Sequence, residues 1–191
     1  MRILILTHER SGGMNLLMWL CKELSMDCYH EPYNNSLGPS DLLTKQNLIV
    51  KEFPDTIENN CTISFDEFVN TFDYVILLIR NNTYNASISA TFMRSPERGD
   101  VHVHNIYTVD EKWIDKNQKE ILIRQKELED RIQKLKSINK GILVSYENIY
   151  EHKSDIDLIK KYLNIQTTKF VDILDYKYKL RDGKIGIPEE N

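Results

Sequence analysis

Residues Thr7 to Asn15 read THERSGGMN, a run whose residue types suit the capture of an oxyanion. Arg10 offers a planar fork of donors that matches a phosphate or sulfuryl group. Ser11 adds a hydroxyl, and the paired Gly12 and Gly13 let the backbone bring its own N–H groups close to an anion. Three further clusters carry titratable or cationic groups: His30-Glu31-Pro32, Lys51-Glu52-Phe53-Pro54, and Arg80 at the end of an apolar run, with Ser87 and Ser89 shortly after it. Successive helical residues turn by about 100°, so Ser87 and Ser89 on one helix point to nearly opposite faces and only one of them can share a site with Arg80.

The surrounding pattern says which elements hold these groups. Ile3 to Leu6 is a short apolar run of the kind buried on both faces of a parallel sheet, and Met14 to Leu24 changes to a helical rhythm, so the glycine loop joins a strand to a helix. Cys28 to His30 reads as a second strand, and Asn47 to Phe53 as a third that Pro54 stops. Ser64 and Glu67 have capping-box spacing for a short helix to Phe72. Tyr74 to Ile79 is the strongest strand signal, with Arg80 at its C-terminal end, and Asn82 or Thr83 caps a helix to Met93. Asp110 to Asn139 predicts a long charged helix whose Ile114, Ile121, Leu128, Ile132 and Leu135 form one packing stripe. Gln118 and Gln125 interrupt the second seam position, which favours packing on the domain over a coiled coil. Ile142 to Ser145 reads as a last strand and Asp155 to Leu163 as a final helix. Strands alternating with helices imply a mostly parallel sheet covered on both faces, and the even spread of apolar segments implies one domain, 1–191. Ligands of such sheets bind beyond the C-terminal strand ends, where the Arg10 to Gly13 loop falls.

Bulk properties narrow the classes. With 191 residues, 41% hydrophobic and 28% charged, the chain can bury one sizeable core. A formal net charge of −4 excludes a sequence-independent grip on nucleic acid by the chain as a whole. Cys21, Cys28 and Cys61 match neither a metal pair nor a disulfide framework, and reduced thiols in the cytoplasm are the simple expectation. No stretch approaches the roughly 20 apolar residues of a membrane span, so no membrane role is expected. His102 and His104 share a face if VHVH is extended, but no third ligand stands at a suitable spacing, so no metal is expected. The pattern GxxxxGK[ST] is absent because no Lys-Ser/Thr pair follows the glycines, which argues against a magnesium nucleoside-triphosphate kinase.

The loop Glu9-Arg10-Ser11-Gly12-Gly13-Met14 resembles the 5′-phosphosulfate loop of sulfotransferases that use 3′-phosphoadenosine 5′-phosphosulfate (PAPS), with Arg10, Ser11 and Gly12 in agreement. Glu9 replaces the usual proline, Gly13 and Met14 replace hydroxyl residues, and Asn15 stands ready to supply a lost donor. YVILLIRNNTYNASIS is similar to that family's 3′-phosphate element, VSYENI to its strand-final Tyr-Glu-Asp-Leu, and LRDGKIG to its Arg-x-Gly-x-x-Gly loop. The four elements occur in family order from Thr7 to Gly186. The resemblance implies an α/β fold, a three-layer sandwich with a mostly parallel central sheet, P-loop nucleotide-kinase-like. It implies that Arg10, Ser11, Gly12, Gly13, Met14 and Asn15 hold the 5′-phosphosulfate, and that Arg80, Ser89, Arg181 and Gly183 hold the 3′-phosphate.

Sulfuryl transfer needs a base for the acceptor and donors for the sulfuryl oxygens, and it needs no metal. The resemblance places the base after the second strand or at the end of the third, which gives Glu31 first, Glu52 second and His30 third, with Arg10 and Lys51 as contacts to the transferring group. The implied activity is sulfuryl transfer from PAPS to a hydroxyl or amine of a small-molecule or glycan acceptor, with Tyr33 to Leu43 and Thr91 to Tyr107 lining the acceptor site. The alternatives are a P-loop-like phosphotransferase, distinguished by dependence on Mg-ATP, and a catalytically inactive nucleotide- or partner-binding module of the same fold. Acceptor identity and oligomeric state are not encoded in any motif.

Overall fold

β1 (Arg2–Thr7) is buried along its whole length, as a strand at the centre of a covered sheet must be. It pairs in parallel with β3 (Leu48–Glu52) on one side and β4 (Tyr74–Ile79) on the other, with Leu4 between Val50 and Val75. β2 (Asp27–His30) lies beyond β3 and β5 (Gly141–Ser145) beyond β4, which gives an all-parallel sheet in the order β2-β3-β1-β4-β5. The computed structural model describes residues 1–33, 42–94, 111–137, 140–166, 179–181 and 184–186.

The connecting helices are α1 (Gly13–Leu24), α2 (Pro54–Asn60), α3 (Phe65–Asn70), α4 (Thr83–Arg94), α5 (Glu111–Ser137) and α6 (Ser154–Leu163). Alternation along the strands divides them into two layers. Ile3, Ile5, Ile49, Ile76 and Leu78 pack with Leu16, Leu17 and Trp19 of α1 and Ile156 and Ile159 of α6. Leu4, Leu6, Val50, Val75 and Leu77 pack with Ile57 of α2, Phe68 of α3, and Leu128 and Ile132 of α5. A one-residue slip of β1 would exchange these two sets, so register and layer assignment stabilise each other at about 1.5–3 kcal/mol per fully buried aliphatic side chain. The result is a three-layer α/β sandwich with the sheet in the middle.

Local chemistry sets the helix boundaries. The Ser64 side chain accepts from the Glu67 N–H while Glu67 accepts from the Ser64 N–H at 2.9 Å, closing the expected capping box on α3. Asn82 Oδ1 accepts from the Asn85 N–H at 3.0 Å ahead of α4. Ile114, Ile121, Leu128, Ile132 and Leu135 are all buried, so the stripe on α5 packs inward as its spacing implies.

Other features add to the sequence pattern. Pro54 ends β3 and also opens α2 at its first helical position, where proline's missing N–H costs nothing. Residues Glu147–Glu151 form a π-helical segment after β5. Lys179–Arg181 (β6) pairs antiparallel with Lys184–Gly186 (β7). Cys21 and Cys28 stand side by side with Cα atoms 6.2 Å apart, a spacing that a disulfide can span, because the turn after α1 folds β2 back along the helix, whereas Cys61 is free. Among the described residues no helix is long and apolar enough to cross a membrane.

Candidate functional site

The C-terminal edge of the sheet gathers two groups of polar side chains on either side of the glycine loop. At the end of β1 the Ser11 hydroxyl donates to His8 O at 2.8 Å and also meets the Thr7 hydroxyl, which lies 3.0 Å from Leu78 O. His8 is buried, and its Nε2 accepts the Arg80 N–H at 3.0 Å, while Nδ1 lies 2.8 Å from Glu9 O. These contacts assign the proton to Nδ1. Burial above all, with the Arg80 charge adding, lowers the His8 pKa to about 4. A neutral imidazole therefore ties the end of β1 to the end of β4.

The loop itself takes a strained path that only its own residues permit. Arg10 has φ 59 and Gly12 has φ 85. A Cβ on Gly12 would lie 2.6 Å from the Tyr150 ring and 2.8 Å from the Tyr146 ring, so both conformation and space demand glycine there. Tyr150 also donates its hydroxyl to Gly12 O at 2.7 Å. Gly12 is the N-cap of α1 and no side chain caps the helix, so the first-turn N–H groups of Gly13, Met14 and Asn15 open at the strand edge.

Arg10 and Arg80 embrace the loop from the β4 side. Arg80 Nη1 donates to Arg10 O at 3.1 Å, its guanidinium lies 4.2 Å from the Tyr146 ring centroid, and Arg10 Nε donates to Ser89 Oγ at 2.8 Å. Arg80 Nε is buried with no hydrogen-bond acceptor among the described residues. Glu147 accepts the N–H groups of Asn81 and Asn82 at 3.0 and 2.9 Å, fixing the turn that follows Arg80. Behind the loop, Glu9 pairs with Arg124 of α5 at 2.6 Å, and Arg124 reaches Asp55 at 3.5 Å.

On the β3 side, Lys51 pairs with Glu31 and sits 3.6 Å over the Phe53 ring. Burial pushes the Lys51 ammonium down from its ordinary value while Glu31 pulls it back. His30 Nε2 lies 3.2 Å from the same Glu31 oxygen, and burial followed by the Lys51 charge lowers the His30 pKa to about 4. Glu31 itself has φ 49 and donates its N–H to Lys51 O at 2.8 Å, so β2 ends by turning its carboxylate toward β3. Glu52 is fully buried and accepts the N–H groups of Tyr33 and Phe53, each at 3.0 Å; its pKa is raised by burial. Strand alternation sets Lys51 on the α1 face with Ile49, and Glu52 on the opposite face with Val50.

Of the residues singled out in the sequence, Arg10, Gly12, Arg80 and Ser89 meet on the β4 side of the loop, Gly13 lies against Lys51 with Glu31 and His30 on the β3 side, and the Ser11 hydroxyl turns inward to Thr7 and His8. Met14 and Asn15 follow in the first turn of α1, half-buried. Arg181 lies in β6, and Gly183, His102 and His104 fall outside the described residues, as do most of the two segments expected to line an acceptor site. Sequence reasoning missed His8, Tyr150 and Arg124. A histidine directly after an apolar strand was the available signal for the first, and nothing local marked the other two.

A parallel sheet of this order, with a glycine loop running from its central strand into the first helix, defines a P-loop nucleotide-kinase-like fold. No family model matches the chain, and no curated protein matches it in sequence. Among solved structures, the YorR protein of Bacillus subtilis in complex with phosphorylated GDP is similar in fold, with TM-score 0.51 and 11% identity over 90% of this chain and 100% of that one. Deoxyadenosine kinase from M. mycoides with products dCMP and a flexible dCDP bound gives TM-score 0.46 and 18% identity over 86% of this chain and 99% of that one.

The likeness in fold to the YorR structure sets the sulfotransferase reading aside, and PAPS is withdrawn with it. Within the site, Ser89 Oγ accepts from Arg10 Nε, and the Ser11 hydroxyl turns inward to Thr7 and His8.

Proposed function

We propose that this chain is a phosphotransferase that moves the terminal phosphoryl group of a nucleoside triphosphate onto a hydroxyl of a small acceptor such as a nucleoside or nucleotide. The observation that supports this most is the passage from β1 into α1, where Gly12 is pressed under Tyr146 and Tyr150 and the uncapped helix start lies at the edge of the central strand. Backbone N–H groups at such a helix start hold phosphate oxygens, and the nucleotide in the similar YorR structure agrees with that use.

Transfer forms one bond, from the acceptor oxygen to the terminal phosphorus, and breaks one, from that phosphorus to the bridging oxygen of the leaving diphosphate. The acceptor proton passes to the Glu31 carboxylate. Most of the acceleration comes from positioning and from charge stabilisation along the phosphates, the role of the helix start and of the cations at the strand ends.

Phosphate loops of this fold usually ligate magnesium through the hydroxyl after the loop lysine. Met14 stands at that position, and a thioether is a poor ligand for a hard cation. Among the described residues no group of three or more His, Cys, Asp or Glu is placed to hold a metal ion. Met14 thus offers magnesium no ligand at the position where such loops usually supply one. The same departure favours a second reading, a nucleotide-binding module without turnover.

The test is incubation with ATP or GTP labelled in the terminal phosphate, with magnesium, against a panel of nucleosides and nucleoside monophosphates. Labelled product supports the phosphotransferase. Calorimetric binding without product supports the inactive module, and no binding at millimolar nucleotide refutes both.

A further inference from the structure

We infer that Lys51, reaching in from the end of β3, supplies the distal-phosphate cation that this loop lacks, in place of the lysine that GxxxxGK[ST] loops carry where this chain has Gly13. The inference rests on the phosphotransferase reading above. Laid on that pattern, Thr7 takes the first glycine position, Gly12 the second, Gly13 the lysine and Met14 the Ser/Thr. By sequence the motif is broken at its one charged position.

In space that position is already occupied. A Cβ built on Gly13 would lie 3.0 Å from Lys51 Cε, 3.5 Å from Lys51 Cγ and 3.0 Å from Thr7 Cγ2. The volume from which a loop lysine would start is filled by the stem of a lysine from the neighbouring strand. The parallel register brings this about: Ile5 lies opposite Lys51, two residues before the loop begins, and odd positions of β3 face α1. Glycine at position 13 and lysine at position 51 are therefore two halves of one arrangement, since a side chain at 13 would crowd the lysine out.

The surroundings of Lys51 fit a charge held for a ligand. Its side chain is 5% exposed, a costly setting for an ammonium, and its recorded ion-pair partner is Glu31, a carboxylate at the end of the adjacent strand. An ammonium has three donors and Glu31 engages one of them. The guanidinium of Arg10 is drawn to Ser89 and that of Arg80 to Arg10 O and Tyr146, so the cation whose stem lies against the first residue of α1 is Lys51.

The test is a swap, read by calorimetric binding of Mg-ATP and Mg-GTP against AMP and GMP. The wild-type chain is expected to bind a triphosphate about ten-fold or more tightly than the matching monophosphate, because one charge-assisted contact to the distal phosphates is worth that much. Lys51→Ala combined with Glu31→Gln removes both members of the buried pair, so that no lone buried charge is left, and also removes the stem that fills the space beside Gly13. This double variant is expected to lose the triphosphate preference while keeping monophosphate affinity, whereas Glu31→Gln alone keeps the preference. Adding Gly13→Lys to the double variant returns a cation to the loop and is expected to restore the preference. Circular dichroism of each variant confirms that a loss is not unfolding, and the restored triple variant tests the idea even if the double variant is poorly folded. A double variant that retains the preference, or a folded triple variant that does not regain it, overturns the role of Lys51 and leaves the phosphotransferase reading intact. A wild-type chain that binds no triphosphate removes that reading and this inference together.

Discussion

A Gly12→Ala substitution puts one methyl group into the most constrained point of the loop. The residue has φ 85, and holding a non-glycine residue in the left-handed region costs about 1–2 kcal/mol. The new Cβ would stand 2.6 Å from Tyr150 Cε2 and 2.8 Å from Tyr146 Cδ2, and overpacking of this kind costs about 1–3 kcal/mol more. The expected total is about 2–5 kcal/mol, from the strain and crowding ranges just given. Urea unfolding followed by fluorescence measures it, and Tyr150→Ala separates the two parts. In the alanine background one ring is gone while Tyr146 stays, so Gly12→Ala should cost less by part of the crowding share of about 1–3 kcal/mol, while the backbone share persists. An unfolding free energy within about 0.5 kcal/mol of wild type for Gly12→Ala, the scatter of an ordinary surface change, would refute the reasoning. So would strict additivity with Tyr150→Ala, because the rings would then not be what confines the loop.

Acid should loosen the join between β1 and β4. His8 is near 4 when folded and near 6.5 when unfolded, so the unfolded chain takes up the proton first; this stability is complete above pH 6.5 and is lost by about 3 kcal/mol as pH falls to 4. His8→Gln should flatten that slope in urea midpoints measured from pH 4 to 7, and an unchanged slope counts against the buried neutral imidazole. Ser64→Ala opens the capping box on α3 and should cost about 1 kcal/mol, seen as a lower midpoint with an unchanged denaturant slope. The Cα spacing of Cys21 and Cys28 predicts that oxidation joins them, which peptide mass mapping under non-reducing conditions checks, and for so short a loop the oxidised chain should gain about 2 kcal/mol over the reduced one.

What the sequence made legible was whatever repeats at short range. The runs at Ile3, Tyr74 and Ile142 announce buried strands, Ser64 and Glu67 announce a cap, and Ile121 to Leu135 announce the packed side of α5; in each case the deciding contacts lie within a turn or along one strand. Pro54 stops β3 as its residue type announced, but it also starts α2, and strand pattern alone shows only the first. The site was harder. Tyr150 reaches Gly12 across 138 positions and Arg80 reaches His8 across 72, and such contacts exist only once the crossovers have placed β5 and β4. The short motifs around a strand-end glycine loop also mislead by their generality. Any parallel sheet that binds phosphate at a helix start offers Arg, Ser and Gly there, so order and spacing do not choose among the chemistries that such a fold hosts.

The hydroxyl of Tyr150 on Gly12 O gives this chain an order of ripening. The loop is spelled out within the first 13 residues, yet its carbonyl is fastened by a residue 138 positions later, on the segment that follows the last parallel strand. At ordinary synthesis speeds roughly 7–28 s separate the two on the ribosome, so a nascent chain carries the loop long before it carries the clasp. The shaped loop is thereby reserved for the completed sheet, and a chain ended before Tyr150 would present the loop's letters without its shape.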